Sequence, residues 1–200
     1  MKSKHLHYMK VVGLTGGIGS GKSSIARVFK SMGVPIYIAD ERAKALYSSS
    51  KQLKHLVIER FGEAVYLNGS FSPAALAQKV FGDDEALSAL NAMVHPLVKE
   101  DFSQWLKEQS ASYVIREAAI LFESASHLDC HAVITVEANE TERIERVMKR
   151  DERSEAEVRQ RINKQWTDAQ RREKADLVIV NNNNSLILER CYLLHQEFSA

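Results

Sequence analysis

The sequence predicts an α/β fold: a doubly wound, five-stranded parallel sheet with a helical insertion and a helical, arginine-rich segment. Three observations predict it. A strand, a glycine-rich loop, a helix and a second strand follow one another within the first forty residues. Three further short apolar runs, at 113–117, 132–136 and 177–180, alternate with helical stretches, as parallel strands and their crossovers do. Between the second and third strands lie residues 41–108, mostly helical in pattern and too long for a simple crossover.

Taken in order, Lys10 to Thr15 is short, apolar and β-branched, as suits a buried parallel strand. Gly16-Gly17-Ile18-Gly19-Ser20-Gly21-Lys22-Ser23 then fits G-x-x-x-x-G-K-[ST], the phosphate-binding P-loop. Its glycines let backbone N–H groups approach phosphate oxygens, the Lys22 ammonium suits the terminal phosphates, and the Ser23 hydroxyl suits Mg²⁺. Ser24 either caps the helix start or touches the α-phosphate. The glycine spacing excludes the dinucleotide pattern G-x-G-x-x-G. Ile25, Val28, Phe29 and Met32 form one helical face, which Gly33 stops. Val34 to Ala39 is the second strand, ending at Asp40.

Residues 40–50 read as a helix closing in a Ser48-Ser49-Ser50 turn, and 51–61 as an amphipathic helix on Leu53, Val57 and Phe61. Asn68-Gly69 predicts a small hairpin over 65–71. Ser72 and Pro73 read as N-cap and first residue of a helix. Asp83 and Asp84 open another, with Leu87, Leu90 and Val94 inward, interrupted at His95-Pro96 and resuming through Leu106. Residues 139–175 are helical and hold Arg143, Arg146, Arg150, Arg153, Arg159, Arg161, Arg171 and Arg172. A last helix spans 184–198 with Leu186, Ile187, Leu193 and Leu194. The expected division is a core of 9–40, 109–138 and 175–200, an acceptor domain of 41–108 and a lid of 139–174.

The chain has 200 residues, 44% hydrophobic and 26% charged, with a net charge of +1. That balance gives no global field toward nucleic acid or a membrane, so any anion site is local. No apolar run approaches the roughly 18 residues of a membrane span. The N-terminus lacks an apolar signal core, and Cys130 and Cys191 have no metal-like spacing, so a cytoplasmic location is expected. Residues 1–8 are expected to be poorly ordered. Neither charge nor apolar pattern selects an oligomeric state.

A P-loop leaves the reaction open. A GTPase switch needs N-K-x-D at a strand end, whereas Asn163-Lys164 sits in a charged helix. A motor ATPase needs a strand ending in paired acids, whereas 114–117 ends in Glu117 alone. A small-molecule kinase needs a base, an acceptor site and cations over the moving phosphate. Asp40, the insertion and the arginine-rich segment meet those needs. A regulatory P-loop module that hydrolyses slowly is the alternative from a different class.

Several blocks resemble the dephospho-CoA kinase family. They are Leu14 to Ser23; Ala39-Asp40; Leu90-Asn91 with His95-Pro96-Leu97; Ile120-Leu121-Phe122-Glu123; Arg146, Arg150-Asp151 and Gln165; and Ala175 to Ile179 with Asn181. The resemblance spans nearly all of 9–200. It implies ATP-dependent phosphorylation of the ribose 3′-hydroxyl of dephospho-CoA, the last step of coenzyme A synthesis, with Mg²⁺. Another nucleotide-like acceptor is the alternative. Departures are Ile38 where the family often has a first Asp, Ala119 where it often has Pro, and Arg116-Glu117-Ala118 in place of an apolar stretch.

The expected site follows. Gly17, Ile18, Gly19, Ser20, Gly21, Lys22, Ser23 and Ser24 bind nucleotide, and Ser23 holds the metal. Asp40 is the general base for the acceptor hydroxyl, with a helix N-cap as its simpler role. Arg150 closes over ATP and stabilises charge on the phosphoryl group or clamps the adenine side, against the simpler reading of a solvated helix face. Arg146 is a weaker candidate, and for Arg143 and Arg161 the solvated reading is as good. His95 contacts the acceptor or serves the break before Pro96. Glu117 orients Mg²⁺-bound water or pairs with a lid arginine.

Overall fold

The computed structural model describes residues 9–183 and 186–200. The expectation for residues 1–8, and the first two residues of the predicted last helix, lie outside the described residues. β1 is Lys10–Gly16, α1 Lys22–Ser31 and β2 Ile36–Ile38. β2 stops before the predicted Ala39, and α2 (Ala39–Ser49) begins there. Asp40 is therefore not at a strand end but in the first helical turn, where its charge complements the helix dipole. Ser48 and Ser49 stay helical, and the break is a cap. Ser50 accepts from the Leu53 N–H and starts α3 (Lys51–Phe61), which buries Leu53, Val57 and Phe61 as predicted. β3 (Tyr66–Leu67) and β4 (Ser70–Phe71) form the hairpin, with Asn68 and Gly69 both at positive φ. Ser72 caps α4 (Pro73–Val80).

α5 (Asp84–Lys107) is continuous through Pro96, contrary to the predicted interruption. Its stripe of Ala86, Leu90, Val94, Val98 and Phe102 is buried on both sides of Pro96, and that packing offsets the missing N–H. Leu87 lies off the stripe and is exposed. The chain continues with β5 (Tyr113–Glu117), β6 (Ala132–Glu137), α6 (Glu140–Asp151), α7 (Glu155–Asn163), α8 (Asp168–Arg172), β7 (Leu177–Val180) and α9 (Ile187–Ser199). α9 buries Cys191, Leu194 and Phe198, while Leu186 and Leu193 are exposed.

The chain divides into two units. The first comprises 110–200 and the described residues up to 38, and the second is Ala39–Gln109. Residues 139–174, expected as a separate lid, belong to the first, since side chains of α6 and the turn before α8 bond to the P-loop. The first unit holds a five-stranded, all-parallel sheet in the order β2-β5-β1-β6-β7. Its core gathers Val12, Leu14, Ile25, Phe29, Tyr113, Ile115, Ile134, Val136, Ile179 and Leu194. Strand order reverses beside β1, so the crevice at the carboxyl end of β1 is where such sheets bind ligands. The second unit is helical, with a core of Leu53, Val57, Phe61, Leu76, Leu90, Val94, Val98 and Phe102. Arg42 of α2 makes a forked ion pair with Asp101 of α5, at 2.7 and 2.6 Å. Among the described residues no helix is long and apolar enough to cross a membrane.

Candidate active site

β1 delivers the chain to the sheet's carboxyl edge at Gly16, from which the loop turns into α1. Two turning points require glycine. Gly19 (φ +79°) and Gly21 (φ +91°) lie in the left-handed region, and a Cβ at Gly19 would fall 2.4 Å from the Arg143 carbonyl oxygen. Gly21 caps α1 with no side-chain hydrogen bond, and the first turn carries no acid. The positive end of α1 is left for an anion to neutralise. Lys22 Nζ lies back along the loop, donating to the Gly16 carbonyl at 2.8 Å. Ser23, the second helical residue, is exposed. Ser24 Oγ accepts from Arg27 Nη2 at 3.1 Å and, like Ser23, leaves the cap position to Gly21. The Ser20 hydroxyl is fully buried, without a hydrogen-bond partner among the described residues. The structure thus brings the whole predicted nucleotide set, residues 17–24, into one loop and helix start.

Glu117 ends β5 in register with Leu14 of β1 and Ile38 of β2, buried at the same carboxyl edge. Strand alternation sends Arg116 to the opposite face, where its Nη2 donates to Ser126 Oγ at 3.2 Å.

The arginines sort differently from the expectation. Arg150 forms a fork with its neighbour Asp151 at 2.7 and 3.0 Å and is 62% exposed. Those bonds hold the guanidinium pKa above its usual value and the Asp151 pKa below. Arg146 lies nearer the loop, donating to the Asn181 carbonyl at 3.0 Å and to Glu142 at 2.8 Å. Arg143 is 5% exposed, and its Nε donates to the Ile18 carbonyl at 3.0 Å. The signal that could have found it is its place on α6, where it shares the buried face with Ile144 and Val147. A charge on a core-facing position needs a partner. Two amides complete the frame. Gln165 Oε1 accepts from the Ile18 N–H at 2.8 Å, and Asn181 Nδ2 donates to the Ser20 carbonyl at 2.8 Å. Beside the start of α1 a cleft of about 310 Å³ is lined by Gly21, Ser24, Arg146, Asn181 and Ile187.

Asp40 and His95 belong to the second unit. Asp40 is exposed in the first turn of α2. His95 is half-buried on α5, and burial pulls its imidazole pKa down, favouring the neutral ring. No cluster of three or more His, Cys, Asp or Glu suited to a metal occurs among the described residues. A single serine hydroxyl at the loop fits a hard cation that arrives with the triphosphate and keeps its waters.

Comparison with known proteins extends this geometry. The dephospho-CoA kinase family model matches residues 10–186. A dephospho-CoA kinase from Bacteroides fragilis is 36% identical over 193 residues, covering 93% of each chain. One from Oryza sativa is 37% identical over 180 residues, covering 87% of this chain and 77% of its own. A crystal structure from Thermus thermophilus superposes with a TM-score of 0.83 at 34% identity, covering 94% of this chain and 97% of that one. A shikimate kinase from Acinetobacter baumannii shares the fold at a TM-score of 0.55 and 13% identity. The family match starts with β1, takes in the P-loop and all of the second unit, and ends one residue before α9: the chain belongs to the dephospho-CoA kinase family.

Proposed function

We propose that the protein transfers the γ-phosphoryl group of ATP to the ribose 3′-hydroxyl of dephospho-CoA, giving coenzyme A and ADP. The observation that carries this reading is the P-loop, set on an uncapped helix N-terminus and lying within the family match at 10–186. The loop and the positive end of α1 hold the triphosphate. Lys22 leaves the Gly16 carbonyl for the β- and γ-oxygens and offsets charge that builds as the bond to the leaving ADP lengthens. Ser23 would hold Mg²⁺ together with the phosphates, and the ion would supply further positive charge to the triphosphate. Asp40 orients the 3′-hydroxyl and takes its proton late, as a loose transition state requires little base strength. The new P–O bond forms to the 3′-oxygen as the bond to the ADP oxygen breaks. His95, whose neutral ring is favoured by burial, contacts the acceptor. Arg150 exchanges Asp151 for the moving phosphate when nucleotide is bound. The cleft beside Arg146 and Asn181 takes the adenine end of ATP. The thiols of Cys130 and Cys191 are free, and we place the reaction in the cytoplasm.

The test is one incubation of purified protein with Mg-ATP and dephospho-CoA, read by mass spectrometry. A product heavier by one phosphoryl group, formed with this acceptor and not with other nucleotide-like alcohols, is expected. ATP turnover indifferent to acceptor overturns the reading.

A further inference from the structure

The peptide group of Ile18 is held on both sides by residues from the arginine-rich segment. Its N–H donates to Gln165 Oε1 at 2.8 Å, and its carbonyl accepts from Arg143 Nε at 3.0 Å. Ile18 lies inside the P-loop, so both restraints act on the turn that shapes the phosphate cradle. Each gripping side chain is itself fixed. Arg143 Nη1 donates to Asp168 Oδ2 at 3.0 Å, and Asp168 also takes Nη1 of Arg171 at 2.9 Å. Arg143 and Arg171 are 5% and 1% exposed, so this partly exposed carboxylate joins two buried guanidinium groups. Gln165 is set in a turn between two anchors. Trp166 stacks on Phe122 with ring centroids 5.8 Å apart, and Thr167 caps α8 through a reciprocal bond with Gln170. Gly17 shows how close the fit is, since a Cβ there would fall 2.2 Å from Arg143 Nη2.

We propose that Arg143 and Gln165 form a two-sided clamp on the Ile18 peptide that holds the P-loop in its phosphate-binding shape, so that both are positioning residues for ATP. The clamp rests on the reading of this loop as the ATP site, but not on the identity of the acceptor. It divides the arginine-rich segment into two parts. Arg143, Gln165, Asp168 and Arg171 form a fixed base on the P-loop, and Arg150 and Arg161, both bonded to Asp151 at the far end of α6, form an exposed tip. Closure over bound nucleotide then belongs to the tip alone.

Arg143→Met, Gln165→Leu and the double variant test this by equilibrium binding of a non-hydrolysable ATP analogue with acceptor absent, beside full kinetics and thermal unfolding. Each single change is expected to weaken binding of the analogue and raise the KM for ATP about 10-fold, the scale of a lost charge-assisted or buried hydrogen bond. The KM for dephospho-CoA should stay within about twofold, and the two changes should be non-additive because they act on one peptide group. Arg143→Lys keeps the charge but cannot bridge Ile18 and Asp168 as a fork, and should remain weakened. A lower unfolding temperature with unchanged analogue affinity overturns the clamp, as does full recovery in Arg143→Lys. Gln165 is only half-buried, so Gln165→Leu decides the matter if Arg143→Met does not fold. Wild-type protein that binds no analogue refutes the ATP site itself, a different result from equal binding by all variants.

Discussion

At the scale of single residues, two glycines, one in the P-loop and one after α1, separate strain from contact. Gly19 and Gly33 have nearly the same positive φ, +79° and +85°, but a Cβ on Gly33 meets nothing within 4 Å, whereas one on Gly19 meets the Arg143 backbone. Gly33→Ala should cost about 1 kcal/mol of stability from backbone strain alone and leave ATP affinity unchanged. Gly19→Ala should displace α6 or the loop and abolish measurable ATP binding. Urea unfolding and calorimetric titration of both variants check this, and equal ATP affinity in the two would refute it. Asp40 is a chemical case rather than a steric one. It is exposed and lies in a helical turn, so Asp40→Asn removes a charge without opening a cavity. The variant should bind ATP normally and lose about 100-fold or more in kcat, the usual range for a positioned acid or base. Near-normal kcat would remove Asp40 from the reaction.

At the scale of elements, what was legible in the sequence follows the strength of each local signal. α3 was readable because Leu53, Val57 and Phe61 are large, apolar and four residues apart. The hairpin and the start of α4 were readable because Asn68-Gly69 and Ser72-Pro73 fix backbone conformation within a few residues. On α5 the sequence placed Leu90 and Val94 correctly but Leu87 wrongly, because the small residue Ala86 marks the buried side there while Leu87 faces outward. In the site, the loop residues were legible from spacing. For Arg143 the α6 pattern marks a buried charge in need of a partner, but that partner is a carbonyl 125 residues away that no local pattern names. Pro96 was overread as a helix break, since burial along α5 outweighs one missing hydrogen bond. The Pro96 ring is exposed and contributes little packing. Pro96→Ala restores an N–H within bonding reach of the Ala92 carbonyl and should stabilise the protein by roughly 1 kcal/mol, part of the usual penalty for an interior proline. A fall in the unfolding temperature would mean that the proline shapes α5 in a way the helix needs.

At the scale of the whole molecule, both units bury groups that must stay protonated. In the first, Tyr113 is 2% exposed and its hydroxyl lies 2.8 Å from His195 Nδ1, and burial drives its pKa well above the usual value. Burial also raises the thiols of Cys130 and Cys191 from 9.0 to about 11, against the opposing pull of Arg116 and Arg190 respectively. In the second unit, burial and the neighbouring Tyr66 push the Tyr47 phenol from 10.0 to about 12, and Tyr66, which donates to the Tyr47 carbonyl at 2.9 Å, is raised too. Each shift has the same sign, with the folded protein holding the proton more tightly than the unfolded chain. Stability from these groups is complete below the unfolded values and is lost as pH rises toward the folded ones, because only the unfolded chain can ionise in between. The window opens near 9 with the thiols and extends toward 12 with the phenols. Urea midpoints should therefore be flat from neutral pH to about 8.5 and fall progressively above it, as ionisation of the unfolded thiols begins. Cys130→Ser with Cys191→Ala should flatten the first part of that fall, between 9 and 11, and leave the phenol-driven part above 10 in place. A midpoint that stays constant through 11, or a fall that the cysteine changes do not alter, would show that these buried groups do not couple folding to alkaline pH.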